Sequence, residues 1–403
     1  MKLINKLIQI LISKKILKFP SKKEIFIYDE NIFRSGYAHF FEKSKCFIFE
    51  TRYKELFLFL FLKAILKKFF FLSNLPIFKI YTIEVIKVVN PKFLICFSHY
   101  TLMFWDLKKY FKDKIFIICQ HHISLGYDGK YHPNTIVEVK KKFKDRNQID
   151  HIFLWGEAMI DEFQKHLDGK FYKTGSIKNN TFKNQSTKNE NDLLFMSQYH
   201  NWLNSNKTRI PLENGKDISK YEFNFKERKM VLDILYEYCL NKNLNLVIAP
   251  RQYNKKDYDE EKNYYEKILG GKKFTFLKRT KQFQVYEEFN RYKYFAVIDC
   301  STGYEAMSRG KRVAHLNVVY DLSNVSGGKN HRYGWPGNFN LKGPFWTNEG
   351  NKDEIFRCLD FIFQTSDSEW EVVKKKFIDP IIIFDEENKN FKNNLKKIGL
   401  SIN

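Results

Sequence analysis

The chain has 403 residues, too many for one ordinary hydrophobic core, and 43% of them are apolar, so packed domains are expected rather than disorder. A formal net charge of +23 favours anionic partners, but the lysines run the whole length without an RNP, zinc-finger or RGG-like pattern. That distribution argues against nucleic acid and for phosphorylated substrates or an anionic membrane surface.

The first stretch, Met1 to Pro20, carries lysines at 2, 6, 14, 15 and 18, so its apolar runs are too short to span a bilayer and no cleavage site follows. Short apolar runs then recur. Glu24–Tyr28, Cys46–Glu50, Phe93–Phe97, Ile115–Cys119 and Ile152–Trp155 predict strands buried on both faces. Leu56–Ser73 is greasier, but Lys63, Lys67 and Lys68 interrupt it, which leaves a core helix or a membrane-surface helix open.

The polar run Lys183–Asn191 is a linker candidate, and a second βα series follows it. Strands are predicted at Leu193–Met196, Leu244–Ala249, Phe274–Leu277, Phe295–Asp299 and Val313–Leu316. Helices are predicted at Phe225–Asn241, Asp257–Leu269, Val285–Asn290 and Gly303–Arg309. Two terminal helices, Asp367–Lys376 and Asn388–Ile398, complete the pattern. Two alternating series predict an α/β protein with two Rossmann-like domains facing across a cleft. The division expected is 1–183, 192–366, and a C-terminal segment 367–403 packing back across both.

The chemistry concentrates in residues 295–316, FAVIDCSTGYEAMSRGKRVAHL. A buried strand ends at Asp299, and a small polar turn of Cys300, Ser301, Thr302 and Gly303 leads into a helix. Such a turn at a strand's carboxyl end presents backbone N–H groups to a phosphate. Glu305, in the first helical turn, is placed for ribose hydroxyls; the alternative is that Ser301 and Glu305 merely cap the helix.

The string D-C-S-T-G-Y-E-A-M-S-R-G-K resembles the donor-binding turn of GT-B glycosyltransferases. It is more closely similar to the O-antigen and surface-carbohydrate biosynthesis proteins of bacteria, in which a D-S-T-x-G-Y-E-A-x-x-R-G-K-like run recurs. Here Ser301 and Thr302 stand one position later than in that run. Arg52–Glu55, Asn90–Lys92, Gly175–Asn180, Ser197–Tyr199 and Lys342–Trp346 carry the same resemblance in the same order, over roughly residues 20 to 390. It implies a GT-B fold and sugar transfer, typically without a bound metal.

Further candidates follow from position. Ser197 and Gln198 follow the first strand of the second series, and Arg251 follows the next, where a guanidinium suits a pyrophosphate. In the Gly-, Pro- and Trp-rich stretch 331–348, Lys342 or Arg332 is a phosphate candidate and Trp346 a stacking one. In the first domain, Ser98-His99 and Gln120-His121-His122 follow strands; His121 is the first candidate for a base and Asp128 the second. The paired histidines lack a third ligand at metal spacing, and no P-loop, HExxH or GxSxG motif occurs. The six cysteines are far apart without a CxxC pair, as in a reducing, cytoplasmic setting.

The expectation is therefore a glycosyltransferase without cofactor or metal, moving sugar from a nucleotide-sugar donor to a glycan or lipid-linked acceptor at the inner membrane face. A nucleotide-sugar epimerase, a CDP-polyol phosphotransferase and a non-catalytic carbohydrate-binding subunit are the alternatives.

Overall fold

The computed structural model describes residues 12–34, 36–70, 74–123, 149–165, 167–185, 189–200, 209–212, 214–298, 300–318, 335–336, 342–400 and 402. Two sheets dominate. The first holds six parallel strands, β1 (Ile25–Tyr28), β2 (Cys46–Phe49), β3 (Phe93–Cys96), β4 (Ile115–Cys119), β5 (His151–Leu154) and β6 (Lys170–Lys173), in the order β2-β1-β3-β4-β5-β6. β1 and β3 are buried at every position, so both faces are covered and the sequence runs apolar without alternation.

The second sheet holds β7 (Asn189–Met196), β8 (Asn245–Ala249), β9 (Thr275–Phe276), β10 (Tyr292–Val297), β11 (Arg312–Leu316), β12 (Lys342–Gly343) and β13 (Trp346–Thr347). Its order is β9-β8-β7-β10-β11-β13-β12, parallel except for the antiparallel β12–β13 hairpin. From β7 the chain goes first to β8 on one side and later to β10 on the other. The crevice between β7 and β10 is thus the topological switch point, where ligands of open α/β sheets lie.

Helix starts follow local chemistry. Ser219 caps the helix Lys220–Asn241 by accepting from the Glu222 N–H at 3.1 Å, and Asn254 caps Lys255–Leu269 through the Asp257 N–H at 3.0 Å. The helix expected from Gly303 begins two residues earlier, spanning Ser301–Ser308. Neither Ser301 nor Glu305 caps it: Cys300 is its N-cap, without a side-chain hydrogen bond.

After the helix Asp367–Val373 the chain crosses to the first sheet. Ala158 N–H donates to Pro380 O at 2.8 Å and Ile383 N–H to Trp155 O at 3.1 Å. The helix Lys389–Lys397 then buries Phe391 and Leu395 against Ile25, Phe93 and Phe153 of the first sheet. The two sheets are thereby joined at the linker and again by the C-terminal segment. The fold is GT-B-like, with two Rossmann-like parallel sheets.

Candidate active site

A cavity of about 1050 Å³ opens at the carboxyl ends of the strands of both sheets. From the first sheet come Tyr100, after β3, and His121 and His122, after β4. From the second come Ser197, Gln198 and His200 after β7, Arg251 and Gln252 after β8, and Cys300, Ser301 and Thr302 after β10. The strand-end candidates His121, Ser197, Gln198, Arg251, Ser301 and Thr302 therefore share one wall-to-wall space.

Among the described residues, five cationic side chains line it, Lys178, Lys220, Arg228, Arg251 and Arg279, against one carboxylate, Glu227. The helix Ser301–Ser308 adds its N-terminus, whose first amides have no intrahelical acceptor. Burial pulls the Lys178 ammonium, the Lys220 ammonium and the Arg251 and Arg279 guanidiniums below their usual values, with Glu305 pushing Lys178 back up. Concentrated, partly desolvated positive charge of this kind suits a polyanion such as a pyrophosphate.

Arg228 is 5% exposed, and its Nε–H has no acceptor among the described residues. Its Nη1 makes long contacts with Tyr264 Oη at 3.4 Å and Asn224 O at 3.5 Å. A buried guanidinium held this loosely is costly unless something else completes it. Arg279 is instead a brace: its Nη1 donates to Pro250 O at 2.8 Å and Arg251 O at 2.6 Å, fixing the loop after β8. Glu261 secures the same loop through the N–H groups of Arg251 at 2.9 Å and Gln252 at 2.8 Å. Glu261 also accepts from the Ser197 hydroxyl, which itself accepts from Tyr265 Oη at 2.9 Å. The Ser197 side chain is thus engaged in holding two strand-end loops together.

His121 Nδ1 meets Tyr37 Oη at 3.2 Å. Burial, then the positive Lys178, hold its pKa well below the usual imidazole value, so it is neutral and can accept a proton. His122 and His200 are likewise neutral, pushed down to about 4 chiefly by burial. Among the described residues, no group of three His, Cys, Asp or Glu side chains is arranged to hold a metal ion.

Several expected site residues lie elsewhere. Glu305 is 3% exposed and stands behind the cavity wall, where its carboxylate accepts from Ser176 Oγ and from Tyr286 Oη at 3.0 Å. One turn below Ser301, it is drawn into the packing between the helix and the Ser176 and Tyr286 hydroxyls rather than into the cleft. Gly303 is a packing residue: a Cβ there would meet His315 Cε1 at 2.9 Å and Val297 Cγ2 at 3.0 Å. Lys342 pairs on the surface with Glu354 at 3.2 Å and Glu349 at 3.5 Å. Trp346 is 1% exposed, packed among Trp335, Phe345 and Phe377 as core. His99 lies buried beneath the first-domain wall. Asp128, Asp299 and Arg332 lie outside the described residues.

Lys178, Arg228 and Arg279 were missed by the strand-end reasoning. Lys178 sits in the Gly175–Asn180 run that carried the family resemblance, so that run held the signal. Nothing local marks Arg228, one charge among many on a long helix.

No curated protein matches the sequence significantly. Among solved structures, a "putative UDP-N-acetylglucosamine 2-epimerase from Listeria monocytogenes" superposes with a TM-score of 0.51 at 12% identity, covering 94% of this chain and 97% of the other. The UDP co-structure of S. aureus MnaA gives 0.52 at 12% identity, with the same coverage. These likenesses establish the fold. Residues 126–399, more than half of the chain, match the family described as "putative O-antigen biosynthesis protein", and the chain belongs to that family.

Proposed function

We propose that the protein is a glycosyltransferase of surface-polysaccharide assembly, taking a sugar from a nucleotide-sugar donor to a glycan or lipid-linked acceptor. The observation that carries this reading is the convergence of Lys178, Lys220, Arg228, Arg251 and Arg279 on one cavity at the carboxyl ends of both sheets. The donor diphosphate lies against this wall and the N-terminus of helix Ser301–Ser308, while the acceptor approaches from Tyr100, His121 and His122.

In the transfer, the acceptor hydroxyl oxygen bonds to the anomeric carbon as the bond from that carbon to the diphosphate oxygen breaks. The electron pair leaves with the nucleoside diphosphate, whose growing charge the cationic wall stabilises, the task a divalent cation performs at other sites. The hydroxyl proton passes to the neutral His121 imidazole. The low proton affinity of His121 makes it a weak base, so departure of the diphosphate carries most of the catalysis. The fold relatives bear on the donor: the MnaA structure is a complex with UDP, which supports a nucleoside diphosphate as the ligand class here.

The test has two stages. Thermal shifts with UDP, GDP, CMP and CDP identify the base, because a ligand that binds only the folded state raises its melting temperature. The matching nucleotide sugars are then incubated with and without lipid-linked glycan from bacterial membranes. Nucleotide release that requires the glycan supports transfer. Conversion of the free nucleotide sugar without any glycan replaces it with an epimerase, release of a nucleoside monophosphate points to polyol-phosphate transfer, and binding without turnover makes the protein a carbohydrate-binding subunit.

A further inference from the structure

The helix Leu58–Phe70 packs through Leu60, Phe61 and Ala64 and turns Phe59, Leu62, Leu66, Phe69 and Phe70 outward. Those outward positions are spaced by three, four, three and one, a single helical stripe. Beside the helix lies the strand Lys14–Ile16, paired in parallel with Glu55–Phe57, and just beyond it Leu17 and Phe19 are also exposed. Phe19 stacks on Phe59 with ring centroids 5.8 Å apart, so the two segments form one patch. Of the twelve large apolar side chains exposed among the described residues, eight lie in residues 12–19 and 59–70. Isolated exposed apolar residues are ordinary, but this concentration is not.

Charge identifies what covers the patch. Residues 12–22 and 54–70 carry eight lysines and one carboxylate, Glu55, which Lys14 pairs with at 3.2 Å. Lys63 and Lys67 both reach the buried Glu84, at 2.8 and 2.7 Å, and this pins them along the flank of the apolar stripe. A second copy of the chain would oppose lysine to lysine. A protein partner lacks any matching feature, whereas an anionic lipid surface offers acyl chain to the aromatic and leucine side chains and phosphate to the lysines. No helix among the described residues is long and apolar enough to cross a membrane, so the contact is with one surface.

We propose that the face formed by helix Leu58–Phe70 and the segment Ile12–Phe19 docks the protein on the surface of an anionic membrane. The apolar stripe enters the headgroup boundary while the lysines pair with lipid phosphates. Such docking presents lipid-linked molecules to the protein, but the inference stands on the patch alone and does not depend on the reaction at the cavity.

Flotation of the full-length protein with vesicles of phosphatidylglycerol and phosphatidylcholine, beside pure phosphatidylcholine, tests it. The wild type is expected to float with the anionic vesicles and much less with the neutral ones. The exposed double variant Leu62→Glu/Leu66→Glu should lose at least about tenfold in bound fraction with an unchanged circular dichroism spectrum. A second variant, Lys15→Glu/Lys18→Glu, should lower binding and weaken its salt sensitivity while leaving the apolar stripe whole. Wild type that stays unbound, or both variants floating as wild type, overturns the proposal. A dimer in solution that the leucine variant dissociates, without vesicle binding by either, would assign the face to a second copy instead.

Discussion

The Glu305 carboxylate accepts a hydrogen bond from Ser176 Oγ, so the signature helix of the second domain is fastened to the end of the first. Tyr286 Oη donates to its other oxygen at 3.0 Å, and Asn179 Nδ2 donates to the Glu305 carbonyl at 3.2 Å. Burial raises the Glu305 pKa, opposed first by Lys178 and then by the Ser176 and Tyr286 hydrogen bonds. The same carboxylate opposes the burial that pulls the Lys178 ammonium below its usual value. Glu305→Ala would strand two buried hydroxyl donors and one cation, and should cost about 3 kcal/mol in urea unfolding. Glu305→Gln, retaining the shape, should cost about half of that. Unfolding curves of both variants superposing on wild type would show that the contact is not structural.

Gly303 allows the signature helix to lie against His315. Gly303→Ala should destabilise the protein by about 1–3 kcal/mol, since the neighbours are a buried ring and a valine methyl rather than a flexible tip. His315→Ser in the same chain should recover part of that loss by making room. Equal melting temperatures for Gly303→Ala and wild type would refute the packing role.

The buried histidines make the fold acid-sensitive. Burial pushes His99 and His315 down to about 3 and His122 and His200 down to about 4. Because these folded-state values lie below the unfolded imidazole value of about 6.5, the unfolded chain binds more protons in acid. The stability these groups contribute is therefore complete above that value and lost progressively as pH falls toward about 3. Melting temperatures should decline over that window. A profile flat from neutral pH to about 4 would mean the rings are solvated in the folded state.

The fold was legible where strands are covered on both faces, because Ile25–Tyr28 and Phe93–Cys96 then read as unbroken apolar runs. β6, Lys-Phe-Tyr-Lys, was not, since an edge strand paired only with β5 needs no such run. The cavity residues that end strands, Ser197, Arg251 and Ser301, could be found from chain position alone. Lys178 and Arg228 converge only once two domains dock and a long helix takes its rotation, which no local pattern encodes. Glu305 misled for a related reason: its residue type and spacing suited a cleft, and only the docking of Ser176 and Tyr286 shows which face of the helix is covered.

Arg228 is where stability and binding should part. It is buried with an Nε–H unsatisfied among the described residues, a cost that a bound diphosphate would relieve. Arg228→Met keeps the stem's volume and removes the charge, so the ligand-free protein should melt no lower than wild type, and higher if the orphan dominates. Calorimetric titration of wild type and Arg228→Met with the nucleoside diphosphate giving the largest thermal shift is the most direct test that this cavity is a diphosphate site. The account predicts affinity reduced by about 30- to 100-fold, a loss of about 2–3 kcal/mol, in a variant at least as stable as its parent. Equal affinities in the two proteins, or no heat with any nucleoside diphosphate, would contradict it.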